Sequence, residues 1–211
     1  MKTYELGDPK AGICLIQPVD DHDLTGIEKE FDLIRDLSGK EVQLIAVKVN
    51  DWNKDLSPWE APAVFGIESF GNGASDTLSE ILSLCTDKDK KCYIGGYSLA
   101  GLFALWASAQ TGRFEGVAAA SPSVWFPDFL EYMHERKPQC RKIYLSLGDR
   151  EEKTRNPVMA TVGDRIRELD AFFVKEGFDC VLEWNEGNHF KDFDIRTAKA
   201  FAGVMTEHEK R

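Results

Sequence analysis

Hydrophobic residues along the chain fall into two alternating patterns. Six short apolar runs predict β-strands, at residues 12–17, 42–49, 92–95, 116–120, 142–147 and 179–184. Between them, apolar residues recur at helical spacing and predict helices over residues 24–37, 78–85, 99–109, 158–175 and 192–207. Strands that alternate with helices are typical of an α/β protein, with a mostly parallel sheet and helices on both faces. The strand runs are almost continuously apolar, as expected of strands that are buried on both faces.

This pattern predicts a single domain over residues 1–211, since no repeat, low-complexity tract or linker interrupts it. The longest irregular segment spans residues 50–72 and is rich in Trp, Pro and Gly. Long loops in compact domains often carry function, but such a segment can equally wrap the edge of a sheet. The sequence leaves both interpretations open.

The charge of the chain narrows its possible partners. With 26 basic and 36 acidic residues the formal net charge is −10, and no basic block occurs. Nucleic acid and membrane surfaces are therefore not expected as partners. The start lacks the apolar region of a signal peptide, and no apolar run is long enough for a membrane span. Five scattered cysteines without a C-x-x-C pair predict reduced thiols in a cytoplasmic protein.

A serine lies between a predicted strand and a predicted helix in the segment GGYSLAG, residues 95–101. Gly96 and Ala100 flank Ser98 in the pattern small-x-Ser-x-small. A serine at so sharp a turn has strained backbone angles, and small neighbours let the strand and the helix approach each other. The pattern predicts a nucleophile elbow, and a glycine-rich turn without chemistry is the alternative.

A serine nucleophile needs a base, and His189 is the best placed of the four histidines. It follows the last predicted strand in a segment suited to a turn, from which it can reach over the sheet edge to the serine. A structural histidine at this position is the alternative. His22 and His134 lie in polar segments elsewhere, and His208 lies in the charged tail, where it is expected to be solvated.

The histidine in turn needs a carboxylate to orient it. The segment LGDREEK, after the fifth predicted strand, supplies Asp149, Glu151 and Glu152. Glu151 is the favoured acid because it is the third residue after Gly148, where the strand ends, and Asp149 is the second choice. The remaining carboxylates are expected to be solvated surface charges.

Four segments carry a resemblance to esterases of the α/β-hydrolase superfamily, the group that includes esterase D and the enterobactin-type siderophore esterases. They are GGYSLAGLFAL (95–105), ASPSVWF (120–126), LGDREE (147–152) and GNHF (187–190). The resemblance covers most of the chain from about residue 42 onward. It implies an α/β-hydrolase fold and a catalytic triad of Ser98, Glu151 and His189, in the chain order of that fold. It also implies that the Leu99 N–H is one oxyanion donor.

The chain departs from that group in three places. Ala100 replaces the second glycine of the elbow, the acid is Glu where many relatives have Asp, and QPVDDHD at residues 17–23 replaces an HGG-type oxyanion loop. Residues 18–21 are the candidate region for the second oxyanion donor, although Pro18 has no N–H to donate.

These features predict a serine esterase that cleaves a carboxylic ester through an acyl-enzyme, without a cofactor or a metal. A catalytically inactive binding protein of the same fold and a thioesterase or peptidase with the same triad are the alternatives. A small-molecule ester is the expected partner, and the sequence makes no prediction of the oligomeric state.

The segment between the fourth and fifth predicted strands sets the shape of the expected site. Residues 121–139 are too few for a large cap domain, so we expect an open site with at most a small lid from residues 52–65 or 125–133. Trp59, Trp125 and Phe126 are the candidate substrate-binding residues, with ordinary core packing as the alternative for each.

Overall fold

The structure is a computed structural model that describes residues 1–64 and 66–206. Three sequence-based predictions reach residues outside this range. They concern the end of the last helix at Glu207, the solvated His208, and Phe65 at the end of the possible lid.

One seven-stranded sheet forms the centre of the described residues, in the order β1-β3-β2-β4-β5-β6-β7. Its strands are β1 (Lys2–Gly7), β2 (Ile13–Val19), β3 (Gln43–Lys48), β4 (Lys91–Tyr97), β5 (Phe114–Ala120), β6 (Lys142–Gly148) and β7 (Asp179–Asn185). All pairs are parallel except β1 with β3. The mostly parallel sheet is as predicted, and each predicted strand is present.

The edge strand β1 was not predicted from the sequence. It pairs with β3 on one side only, and its residues are exposed or half-buried along their whole length. A half-buried antiparallel edge strand has no continuous apolar run, because only part of it faces the core. The segment KTYELG therefore lacks the signal that identifies the inner strands.

Eight helices connect and cover the strands within the described residues. They are α1 (Asp21–Leu24), α2 (Ile27–Ser38), α3 (Trp52–Asp55), α4 (Ala74–Leu84), α5 (Leu99–Gln110), α6 (Phe129–Glu135), α7 (Val162–Lys175) and α8 (Phe193–Val204). The helix predicted over residues 158–175 begins later, because its first turn is the separate 3₁₀ turn Met159–Thr161. The other long helices occupy the predicted regions.

The helices divide between the two faces of the sheet, as predicted. One apolar cluster joins α2 and α8 to one face. A larger cluster joins α4, α5, α6 and α7 to the other. The central α5 is buried over residues 99–108 and is almost entirely apolar, because it is enclosed on all sides. No disulfide links the five cysteines, all of which are described and buried.

The six parallel strands, β2 to β7, end at one edge of the sheet, where ligand sites of open α/β sheets lie. No large cap covers this edge in the described part of the chain, since the connection from β5 to β6 holds only the short α6. Within residues 1–64 and 66–206 no helix is both long and apolar enough to cross a membrane.

Candidate active site

Ser98 sits at the turn between β4 and α5, with φ 57° and ψ −118°. Positive φ is a strained conformation for a serine and is maintained only where the surroundings enforce it. Three backbone hydrogen bonds do so. The Ser98 N–H donates to the Ala120 carbonyl at 3.0 Å, and the Ser98 carbonyl accepts from the N–H groups of Leu102 and Ser123, both at 3.1 Å.

The small residues around the serine are a steric requirement of this turn. A Cβ atom added to Gly96 would lie 2.7 Å from the Ala100 Cβ, far inside van der Waals contact. One added to Gly101 would lie 3.0 Å from the Gly96 carbonyl oxygen. The strand and the helix therefore touch through their small residues, as the pattern small-x-Ser-x-small predicts.

His189 lies beyond the end of β7, and its Nε2 is 3.0 Å from Ser98 Oγ. Its backbone carbonyl accepts a 2.7 Å hydrogen bond from the Tyr97 hydroxyl, and the two rings lie 5.1 Å apart. The chain turns back just before it at Gly187, whose φ of 109° requires glycine. The histidine is thus held against the serine through both its backbone and its ring.

Glu151 lies in the 3₁₀ turn Glu151–Lys153 after β6, and its Oε2 is 2.7 Å from His189 Nδ1. The carboxylate can only accept, so Nδ1–H donates to it and Nε2 is left to accept the serine hydroxyl proton. Asp149, the second choice, instead accepts from the Gly187 N–H at 2.8 Å. Glu152 pairs with Arg167 at 2.9 Å. Of the three acids, only Glu151 meets the histidine.

The second carboxylate oxygen of Glu151 accepts three further hydrogen bonds. The Ser121 hydroxyl and the Gly148 N–H donate to Oε1 at 2.7 Å each, and Arg196 Nη1 donates at 2.9 Å. Burial by itself would raise the pKa of Glu151, which is only 6 % exposed. The bond and charge of His189, with the Ser121 and Gly148 bonds, outweigh it and hold the pKa below its ordinary value.

Arg196 is a residue of this site that the sequence reasoning missed. It lies on α8, is 1 % exposed, and also donates to the Tyr97 hydroxyl at 3.1 Å and to the Glu186 carbonyl at 3.0 Å. A buried arginine requires a partner of opposite charge. The signal that could have found it is its place among apolar residues on the inner face of the last helix, in the segment FDIRTAKAFAGV.

Of the two places predicted to supply an oxyanion donor, one presents its N–H beside the serine and the other does not. Leu99 is the first residue of α5, so its N–H has no partner within the helix and lies next to the serine. In the region 18–21, the Asp20 N–H donates to Asp23 Oδ2 at 3.2 Å, within the capping box of α1. This N–H is therefore engaged away from the serine. The sequence reasoning also missed the Ser123 hydroxyl, whose oxygen lies 3.3 Å from Ser98 Oγ.

Two adjacent clefts share His189 among their lining residues. The first, of about 540 Å³, includes Ser98, Trp52, Phe70, Asp51 and Glu68 among its lining residues, and we call it the aromatic arm. The second, of about 470 Å³, includes Arg150, Lys153 and Arg155, and we call it the basic arm. The residues shared by the two arms are Trp125, Thr154, Met159, His189 and Phe190.

Only one of the three predicted substrate-binding residues lines these arms. Trp125 lines both. Phe126 is fully buried at 0 % exposure and packs its ring against Trp59 and Phe70, so its prediction as a pocket wall is wrong. Trp59 lines neither arm, since its ring packs among Phe126 and Tyr132 and its indole N–H donates to the Pro127 carbonyl at 3.1 Å, and its role in substrate binding stays a prediction.

The first of the two possible lid segments, residues 52–65, both lines the site and packs on a helix. Trp52, in the irregular segment 50–72, lines the aromatic arm, while Trp59 attaches the same segment to α6. Phe190 lines both arms and is 85 % exposed.

No group of three or more His, Cys, Asp or Glu side chains is arranged to hold a metal ion among the residues that the structure describes.

Neither a protein-family model nor a curated protein sequence matches the chain. Solved structures do resemble it. The siderophore hydrolase EstA from Aspergillus nidulans aligns over 95% of this chain and 86% of its own, with a TM-score of 0.69 and 18% identity. An IroE-like serine hydrolase from Shewanella oneidensis aligns over 95% and 74%, with a TM-score of 0.72 and 15% identity.

The enterobactin esterase from Shigella flexneri aligns over 96% of this chain but 54% of its own, with a TM-score of 0.63 and 15% identity. At such identities the likeness establishes the fold. The predicted α/β-hydrolase fold without a large cap is confirmed, and the predicted resemblance to siderophore esterases is confirmed as a likeness of structure.

Proposed function

We propose that the protein is a serine esterase that hydrolyses a carboxylic ester through a covalent acyl-enzyme. The observation that carries the proposal is the continuous line of contacts from Ser98 Oγ to His189 at 3.0 Å and from His189 to Glu151 at 2.7 Å. A nucleophile that touches a base, which is in turn oriented by an acid, is the arrangement that acyl transfer requires. The solved structures of similar fold, one named as a siderophore hydrolase and one as an enterobactin esterase, add support.

In the first half of the reaction, Ser98 Oγ attacks the ester carbonyl carbon while His189 Nε2 takes the hydroxyl proton. Glu151 stabilises the imidazolium that forms, and the Leu99 N–H donates to the negative oxygen of the tetrahedral intermediate. When the intermediate collapses, the ester C–O bond breaks. The leaving alcohol takes the proton from Nε2 and leaves an acyl group on Ser98.

In the second half, His189 removes a proton from water, and the resulting hydroxide attacks the acyl carbon. Collapse of this second intermediate releases the carboxylic acid and returns the proton to Ser98. Ser98 is one of four non-glycine residues with positive φ in the described part of the chain, and strained residues of this kind cluster at active sites, which supports this role.

The test uses p-nitrophenyl acetate hydrolysis and labelling by a fluorophosphonate probe, which reacts with activated serines. We expect Ser98→Ala to remain folded, to lose labelling, and to lose about 10⁴-fold or more in turnover. Ser83→Ala, on the exposed side of α4, is the matched control and should match the wild type in both assays. A wild-type protein that is neither labelled nor active would identify the fold as a binding module and overturn the proposal.

A further inference from the structure

The basic arm is lined by positively charged side chains, although the protein as a whole is acidic. Arg150, Lys153 and Arg155 all line it, within six residues of chain that follow β6. None of the three forms an ion pair with a carboxylate of residues 1–64 and 66–206. Three exposed, positively charged side chains without a close ion-pair partner therefore line one cleft, on a chain whose formal net charge is −10.

The one acidic residue that lines the basic arm does not offset this charge. It is Glu151, which is buried and whose two oxygens are already engaged by His189 and Arg196. The aromatic arm differs, since the acidic Asp51 and Glu68 line it together with apolar rings. The two arms thus carry side chains of opposite charge, and a cleft with low-dielectric walls strengthens such a field.

We propose that the substrate is an ester that also carries a carboxylate group, and that this carboxylate binds in the basic arm against Arg150, Lys153 and Arg155. The inference rests on the proposed esterase function and names the substrate class of the same site. Two guanidinium groups favour a carboxylate because each offers a planar pair of N–H donors that matches its two oxygens. The volume of about 470 Å³ accommodates a short chain or a single ring between ester and carboxylate.

The test compares two pairs of esters that differ only in the carboxylate. On the acyl side the pair is p-nitrophenyl hexanoate and mono-p-nitrophenyl adipate, and on the alcohol side it is phenyl acetate and para-acetoxybenzoate. The variant is the triple substitution R150Q/K153Q/R155Q. The control is K88Q/R136Q/K175Q, which removes the same charge from exposed residues that precede strands or end helices at the opposite edge of the sheet.

The measured quantity is the ratio of kcat/KM for the charged ester to that for its neutral partner. We expect the triple variant to lower this ratio roughly tenfold in at least one pair, as the loss of three exposed charge contacts implies. The control variant should leave it at the wild-type value. Raising the ionic strength should lower the ratio for the wild type much more than for the triple variant, since salt screens exposed charges.

Two negative results have different meanings. If the neutral esters are hydrolysed in a Ser98-dependent way but the ratio is the same in all three proteins, the basic arm does not bind carboxylate, and the inference is wrong while the esterase proposal stands. If no ester of either pair is hydrolysed and the fluorophosphonate probe does not label Ser98, the esterase proposal itself fails and the inference falls with it.

Discussion

Replacement of Arg196 by methionine would remove the positive charge that contacts Glu151 and leave a side chain of similar length. The two groups are almost fully buried, and Nη1 lies 2.9 Å from Oε1. Two unit charges about 3 Å apart attract by about 5–6 kcal/mol at an effective dielectric constant of about 20, before the cost of desolvation is subtracted. Removal of one member of such a buried pair costs about 3–5 kcal/mol.

The lower end of that range applies here. In the variant, Glu151 keeps the donors from His189, Ser121 and Gly148, so its carboxylate is not left without partners. We therefore expect Arg196→Met to lower the free energy of unfolding by about 3 kcal/mol, which for a chain of this size lowers Tm by about 6–12 °C. Total stabilities of about 5–15 kcal/mol leave the variant folded at room temperature.

The assay is a double-mutant cycle of Arg196→Met and Glu151→Gln, measured by denaturant unfolding. Each single variant leaves one buried charge without its partner, whereas the double variant removes both. The double variant should therefore be more stable than the sum of the single effects predicts, by about 2–3 kcal/mol. Arg35→Met is the control, because Arg35 is half-exposed and lies 3.7 Å from Glu41, a surface pair worth at most about 1 kcal/mol.

Additive effects of the two substitutions, within about 0.5 kcal/mol, would refute the reasoning, because they would show that the two charges do not interact. A loss for Arg196→Met no larger than that for Arg35→Met would refute it as well. In that case the contact seen in the structure would contribute no more than a surface ion pair.

Two further predictions follow from buried and exposed side chains. Burial raises the pKa of the Glu30 carboxyl well above its ordinary value. The folded state therefore binds the carboxyl proton more tightly than the unfolded state does. The free energy of unfolding should fall as pH rises above the ordinary carboxyl pKa, by up to about 1.4 kcal/mol per pH unit. Glu30→Gln should flatten this limb of the pH–stability curve, and an unchanged curve from acid to alkaline pH would contradict the assignment. Phe126→Ala should lower the free energy of unfolding by about 3–5 kcal/mol, because Phe126 is fully buried. Phe190→Ala should leave Tm nearly unchanged, because Phe190 is exposed, and should raise KM for apolar esters. Thermal melts and ester kinetics measure these effects.

Sequence reasoning could predict those elements of the site that are determined by residues close together in the chain. The close approach of β4 and α5 at Ser98 depends on Gly96, Ala100 and Gly101, which lie within five positions of each other, so the sequence pattern contains this steric argument. The backbone bonds from Ala120 and Ser123 that hold the turn come from a distant segment. The contact of Glu151 with His189 is what the spacing from Gly148 predicts, because the end of a strand and one short turn determine where the side chain lies. Their catalytic roles are proposals that the experiments above test.

Other features depend on distant parts of the chain and left no such local signal. Arg196 contacts a carboxylate 45 positions away, so its role appears only when α8 is packed on the sheet. Trp125 and Phe126 are adjacent and equally apolar, yet the turn after β5 directs one ring to the cleft and the other to the core. Apolar composition predicts that both are buried, but not which of them meets a ligand.

The charge on Glu151 links the stability of the site to its proposed chemistry. A carboxylate as buried as this one would by itself favour its protonated form, which gives an imidazolium no compensating charge. Gly148, Ser121 and Arg196 all act on Oε1, whereas His189 contacts Oε2. The donors at Oε1 therefore fix the carboxylate in place and support the ionised state that the bond and charge of His189 also favour, while Oε2 accepts the single N–H that orients the base. Weaker donors at Oε1 should then reduce turnover without any contact with substrate, because the same groups hold the acid in the state and position that the histidine requires.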